Sequence, residues 1–87
     1  MSDDSAATGV RAVVEVIAKA LVDRPEDVRV VESQHRQTTL VELFVPPHEI
    51  AKVIGRQGRT AAALRTLASS AGEREGKTVT LEIREGH

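Results

Sequence analysis

The chain has 87 residues, which is enough for one compact domain and too few for two. Hydrophobic residues make up 40% of it and charged residues 29%, a globular profile that excludes a chain disordered throughout. There is no cysteine, which excludes disulfides and thiolate metal sites, and the formal net charge of −1 excludes a uniformly basic nucleic-acid binder.

The N-terminal residues 1–7 are polar and acidic, and they predict a disordered leader ahead of a domain over residues 8–85. An acidic start is the wrong chemistry for a signal peptide, and no apolar run is long enough to span a membrane. Because the chain also lacks cysteine, we expect a cytoplasmic protein with no membrane partner.

The first periodic segment predicts an amphipathic helix from Thr8 to Val22, with Thr8 as its N-cap. Pro25 ends this helix, because the residue before a proline is pushed out of the α region. The apolar side chains that recur on one helical face are Val10, Val13, Val14, Ile17, Ala18 and Leu21.

Two β-rich segments follow, Val28 to Glu32 and Thr38 to Val45. The polar stretch between them, Ser33 to Gln37, predicts a hairpin loop. Pro46 and the proline after it stop the second strand, because proline cannot donate to a ladder.

The pattern then changes to a short helix from His48 to Ile54 and a longer one from Arg59 to Glu73, followed by a turn and an alternating strand from Thr78 to Arg84. The order α-β-β-α-α-β predicts an α+β sandwich, in which a three-stranded sheet is covered on one face by three helices. The last strand returns after a helical crossover, so part of the sheet is expected to be parallel. The longer helix is expected to turn inward Ala61, Leu64, Leu67, Ala68 and Ala71.

The most informative segment is the turn Gly55-Arg56-Gln57-Gly58 between these two helices. Glycine lets the backbone adopt a positive φ and approach a ligand closely. The free N–H groups and the dipole of the following helix favour an anion there. Residues 51–72 also contain Lys52, Arg56, Arg59 and Arg65 without a single acid, which indicates a site for a phosphodiester backbone.

Residues 50–59, together with the helix around Val13 to Asp23 and Gly76-Lys77 before the last strand, resemble the small bacterial single-KH proteins of the KhpA family. The resemblance covers about Val10 to Arg84. It implies the type II KH fold, RNA binding by the loop from Gly55 to Gly58, homodimerisation, and pairing with a larger KH protein of the Jag type in some bacteria. It further implies a role in post-transcriptional control or as an RNA chaperone.

The predicted RNA-binding set is contiguous in the sequence and combines cations, glycines and apolar residues. The cations neutralise phosphates, and the loop holds about four nucleotides. Two residues before the loop, Val53 and Ile54, line an apolar groove. The complete set is Lys52, Val53, Ile54, Gly55, Arg56, Gln57, Gly58 and Arg59.

No catalytic, metal-binding or cofactor-binding residues are predicted. The histidines do not have metal-ligand spacing, and no nucleophile lies near a base and an acid in the sequence, so an enzyme is not expected. Phe44 is the only aromatic residue, so base contacts should be aliphatic and of low specificity.

Two alternatives to RNA binding stay open at the level of sequence. One is a DNA-binding helix-turn-helix protein that reads the major groove with the helix from Arg59 to Glu73, although that helix has few side chains suited to base edges. The other is a protein–protein adaptor on a KH scaffold that has lost RNA binding. The intact glycines and the acid-free stretch favour RNA.

Overall fold

The computed structural model describes residues 9–86, so the predicted leader and the N-cap Thr8 lie outside the described residues. The chain begins with helix α1 and continues through a hairpin to two further helices and a final strand. The elements are α1 (Gly9–Leu21), β1 (Arg29–His35), β2 (Thr38–Val45), α2 (Ile50–Ile54), α3 (Arg59–Arg74) and β3 (Thr78–Glu85). This is the predicted order.

The three strands form one sheet in the order β1-β2-β3, with β1 antiparallel and β3 parallel to the central strand. The parallel pair confirms the expected crossover, which runs through α2 and α3. The predicted five-residue loop between β1 and β2 is wrong, because pairing continues to His35 opposite Thr38 and leaves a turn of Arg36 and Gln37. Near this turn the two strands are also joined by a side-chain hydrogen bond, which the Thr39 hydroxyl donates to the Gln34 amide oxygen over 2.9 Å.

The core lies between one face of the sheet and the three helices. Val41, Leu43 and Val45 of β2 are fully buried, as is the Val10, Val14 and Ala18 row of α1. Leu67 of α3 was expected to face inward but is 47% exposed. The inward row of α3 is instead Ala61, Leu64, Ala68 and Gly72, which are all buried and leave Leu67 on the flank of the helix.

Within residues 9–86, no helix covers the other face of the sheet. Phe44 is half-buried there beneath the guanidinium of Arg29, whose carbon lies 5.0 Å from the ring centroid. Arg84 of β3 pairs with Glu42 of β2 over 2.9 Å, and Glu82 lies directly beside Glu42 in the ladder. The two glutamates offset the two arginines, so this face offers no excess of positive charge to a nucleic-acid backbone.

Candidate nucleic-acid interface

The loop between α2 and α3 is a tight turn held by its own backbone. Gly55 ends α2 by donating its N–H to the carbonyl of Ala51 over 2.9 Å. Gly58 donates to the carbonyl of Gly55 over 3.1 Å, and α3 starts at the next residue. The predicted turn between two helices is therefore present, with both glycines at its ends.

The two glycines are needed for different reasons. Gly55 has φ 78° and ψ 172°, and a Cβ there would overlap the side chain of Thr60 and lie 2.9 Å from its backbone nitrogen. Gly58 has φ 74°, yet a Cβ there would meet nothing within 4 Å. The first glycine lets the loop fold back onto α3, whereas the second lies beside open space that a ligand could occupy.

Gln57 has a left-handed backbone conformation, with φ 58° and ψ 24°. A non-glycine residue in this region costs about 1–2 kcal/mol. Strained residues of this kind are concentrated at ligand-binding sites, where the surrounding structure enforces them. The side chains of Arg56 and Gln57 consequently project from an exposed turn rather than from a regular helix.

The charge at the loop is positive and accessible. Arg56, Gln57 and Arg59 are all exposed, and Arg59 donates a hydrogen bond to the neutral amide oxygen of Gln57 over 3.1 Å. Gly58 has no side chain, so the N-cap residue of α3 supplies no side-chain hydrogen bond to the helix. The N–H groups of Gly58 and Arg59 donate to the backbone carbonyls of Gly55 and Arg56. An anion at this point would therefore meet chiefly the positive end of the helix dipole and two guanidinium groups.

Lys52 is in a different environment from these arginines. Its Nζ lies 2.6 Å from a carboxylate oxygen of Asp23 and 3.0 Å from one of Glu49. These two hydrogen bonds raise the pKa of Lys52. The structure thus brings Arg56, Gln57 and Arg59 together at the loop and directs the Lys52 ammonium to an acidic pair.

Glu49 is the residue of this region that sequence reasoning missed. It is 1% exposed, and its two oxygens accept the backbone N–H groups of Asp23 and Arg24, each over 3.0 Å. These hydrogen bonds, led by that from Asp23, lower the pKa of Glu49 to about 2. The three-residue spacing from Glu49 to Lys52 was a visible signal for an ion pair, but its burial depends on contacts 26 residues away.

The two apolar residues before the loop are not equivalent. Val53 is fully buried in the core, whereas Ile54 is half-buried beside Gly55. Of these two residues, Ile54 is the one that presents apolar surface next to the loop. Arg65, the fourth cation of the acid-free stretch, donates through Nε to the backbone carbonyl of Leu81 over 3.3 Å.

Residues 9–86 contain no cluster of three or more histidine, cysteine, aspartate or glutamate side chains arranged to hold a metal ion. No helix within the same residues is long and apolar enough to cross a membrane.

Comparison with protein families gives a match to the model described as the KhpA/KhpB KH domain, over residues 11–83. The chain belongs to the KhpA/KhpB KH-domain family. The resemblance noted in the sequence is therefore confirmed. A relative from Aquifex aeolicus named RNA-binding protein KhpA is 47% identical over 78 residues, covering 90% of this chain and 99% of the relative. The Clostridium perfringens protein of the same name is 48% identical over 73 residues, or 84% and 97% of the two chains.

Solved structures with the same fold include Era from Aquifex aeolicus bound to GDP and aluminium fluoride, with a TM-score of 0.63 at 18% identity. The match covers 88% of this chain and 30% of Era. A complex of Era with MgGDPNP and nucleotides 1506–1542 of 16S ribosomal RNA matches with a TM-score of 0.61, over 87% of this chain and 29% of Era. At this identity the likeness establishes the fold alone. Together with the KhpA/KhpB match, it confirms the predicted α+β, type II KH arrangement.

Proposed function

We propose that this member of the KhpA/KhpB family binds single-stranded RNA through the loop from Gly55 to Gly58. The observation that carries the proposal is an exposed, strained turn with two positive-φ glycines, two accessible arginines and an uncapped helix N-terminus. KH domains clamp about four backbone nucleotides with a loop of this kind. The curated relatives are named RNA-binding proteins, which supports RNA as the ligand.

Within this proposal, the guanidinium groups of Arg56 and Arg59 neutralise phosphates, and Gly55 and Gly58 permit the close approach of the RNA backbone. Ile54 supplies apolar surface for a base, while Val53 supports it from the core. A footprint of about four nucleotides gives modest affinity and low sequence specificity. This suits a post-transcriptional regulator or RNA chaperone that contacts many RNAs.

The geometry disfavours the two alternatives. Four exposed side chains of α3 are too short to reach base edges in a DNA major groove, and the exposed Arg65 donates to the Leu81 carbonyl of the same chain. The short side chains are Ala62, Ala63, Ser69 and Ser70. An adaptor without RNA binding would have no need for the two exposed arginines, Arg56 and Arg59, at the loop. We propose a role in the cytoplasm, and the absence of enzymatic activity stays a prediction.

We also propose that two copies pair, because a four-nucleotide footprint needs a second site for useful occupancy. The surface that supports pairing is the apolar flank of α1, centred on Val16, which is 67% exposed. The polar side chains of α1 are confined to one narrow stripe, and a helix that is apolar elsewhere indicates a second partner. The flank consists of Ala12, Val13, Val16, Ile17 and Ala20.

A second copy of this chain fits the flank because its edge is self-complementary. Glu15 and Lys19, which pair over 2.8 Å within one copy, would face Lys19 and Glu15 of an antiparallel partner helix. The flank is small compared with a standard interface of about 1,600 Å², so the pairing should be weak. The larger Jag-type KH protein predicted from the resemblance is the competing occupant.

The RNA proposal is tested by fluorescence anisotropy with a short single-stranded RNA at two salt concentrations. The test variant is Arg56→Asp/Gln57→Asp, which puts negative charge where phosphate should lie. The chain offers a matched control in Arg36→Asp/Gln37→Asp, the same dipeptide in an exposed turn where Arg36 has φ 62°. We expect wild type and control to bind and to weaken with salt, while the folded test variant does not bind. Equal binding by all three would mean that RNA is bound elsewhere on the chain, whereas binding by none of them would favour the adaptor.

A further inference from the structure

Four cations lie in the acid-free stretch of residues 51–72, but they do not have the same surroundings. Lys52 contacts two carboxylates, and Arg65 donates to a β3 carbonyl. Arg56 makes no ion pair within residues 9–86, and the partner of Arg59 is the neutral Gln57. Counting charges along the sequence gives this stretch four positive charges. In the fold, only those of Arg56 and Arg59 are available to a ligand at the loop.

The direction of the Lys52 side chain follows from helix geometry. Side chains on an α-helix lean toward its N-terminus, and the glycine loop begins where α2 ends. Lys52 accordingly reaches back to Glu49, immediately before α2, and to Asp23, just after α1. The Lys52 ammonium lies between the two carboxylates. The three side chains together carry a net charge of −1, which would repel an approaching phosphate.

The same contacts join parts of the chain that are far apart in sequence. Glu49 holds the backbone of Asp23 and Arg24, and Lys52 bridges the Glu49 and Asp23 carboxylates. We name Asp23, Glu49 and Lys52 the α2 clamp. The clamp attaches the start of α2, at Glu49, and its middle residue, Lys52, to the chain that follows α1, and so constrains the direction in which α2 points.

We propose that Lys52 is a positioning residue that holds α2 in place through the clamp, and that it does not contact RNA phosphate. This inference rests on the proposed RNA binding at the loop, and it replaces the expected role of Lys52. The phosphate contacts from this stretch are then made by Arg56 and Arg59. Lys52 affects RNA binding only by fixing the position of the loop.

The test is the salt dependence of affinity for the short single-stranded RNA, measured alongside the urea midpoint. For single strands, each phosphate contact contributes about 0.7 to the slope of log K against log salt concentration. We expect Lys52→Gln to keep the wild-type slope, lower the urea midpoint and lose about twofold to fivefold in affinity, the effect of one partly exposed ion pair. The matched control Arg56→Gln should lower the slope by about 0.7 and leave the midpoint unchanged.

A conservative variant separates positioning from general damage. Lys52→Arg keeps the charge and can still reach both carboxylates, so it should restore the urea midpoint and the affinity of wild type. Should Lys52→Gln fail to fold, Asp23→Asn retains Lys52 and removes one of its partners. We expect this variant to keep the wild-type slope, whereas a steeper slope would mean that Lys52 had been freed to bind phosphate.

The opposite result for Lys52→Gln, a slope lowered by about 0.7 with an unchanged midpoint, would overturn the inference and make Lys52 a phosphate contact. Failure of the proposed function gives a different result, because wild type itself would then bind no RNA. In that case the urea midpoints of wild type and Lys52→Gln still test whether Lys52 holds α2 in place. An unchanged midpoint for Lys52→Gln would overturn the clamp, whatever the ligand.

Discussion

Gly55 and Thr60 approach so closely that the first residue of the loop must lack a side chain: a β-carbon on Gly55 would overlap the Thr60 hydroxyl. The contact ties the end of α2 to the first turn of α3. It therefore sets the relative position of the two helices, and with it the shape of the turn on which Arg56 and Gln57 are displayed.

This contact predicts unequal effects of adding a methyl group to the two glycines. Gly58→Ala should lower the free energy of unfolding by about 1–2 kcal/mol, the cost of a left-handed residue, because open space surrounds the site. Gly55→Ala carries that cost and also displaces Thr60, so it should cost about 3 kcal/mol or more. Urea denaturation measures both, and equal losses would contradict the account of the Thr60 contact.

Glu49 predicts a dependence of stability on acid. Its pKa is lowered to about 2 from an ordinary value of 4.5, so its contribution is complete above about pH 4.5 and is lost as the pH falls toward 2. Glu49→Gln should be less stable than wild type at neutral pH, and the difference should shrink between pH 4.5 and 2. Glu15, whose pKa is lowered by Lys19, leaves a residual slope in both proteins. Parallel curves for the two proteins down to pH 2 would show that Glu49 is not held as a carboxylate.

The position of Leu67 predicts a contrast between two leucines. Leu43 is fully buried in the sheet, and Leu43→Ala should cost about 2–5 kcal/mol in the free energy of unfolding. Leu67→Ala removes a side chain that is 47% exposed and should cost about 1 kcal/mol or less. Similar losses in urea denaturation would mean that Leu67 faces the core, as the sequence had indicated.

The apolar flank of α1 predicts a concentration-dependent dimer. Sedimentation should show self-association of wild type at high micromolar concentration, and Val16→Glu should shift the population to monomer without lowering the urea midpoint. Leu67→Glu, which changes an exposed apolar side chain on α3, is the comparison. Loss of the dimer with Leu67→Glu alone would move the interface to α3, and a wild type that stays monomeric would contradict homodimerisation.

Periodicity and turn residues were sufficient to predict the order of the elements. Three of these signals are local in the sequence: the apolar row of α1, the alternation in β2 and the glycines at the loop. In each case the structure has the element that the local pattern predicts. The end of β1 was missed because Ser33, Gln34 and His35 are polar, and their pairing depends on the partner strand. The prediction for Leu67 was wrong because the spacing of apolar residues in α3 is compatible with two slightly rotated inward faces, and Leu67 belongs to only one of them.

The site shows the same division between local and distant signals. The glycines and the two exposed arginines could be predicted from their spacing, since all four lie within the same short turn and their arrangement depends on neighbouring residues. Glu49 and the orientation of Lys52 could not, because the backbone they hold lies beyond α1, 25 and 26 residues away. A charge count over a window treats all cations alike, whereas the fold assigns some of them to structural partners.

The bond from Arg65 to the Leu81 carbonyl has a consequence for how molecules can associate. β3 is an edge strand, and an edge with unpaired carbonyls invites a strand from another chain to add to the sheet. Here a bulky, charged guanidinium lies over the middle of that edge and occupies one of the acceptors that an incoming strand would need. Extension of the sheet by a strand added at the β3 edge is thereby discouraged, which leaves β1 as the edge at which a strand could be added.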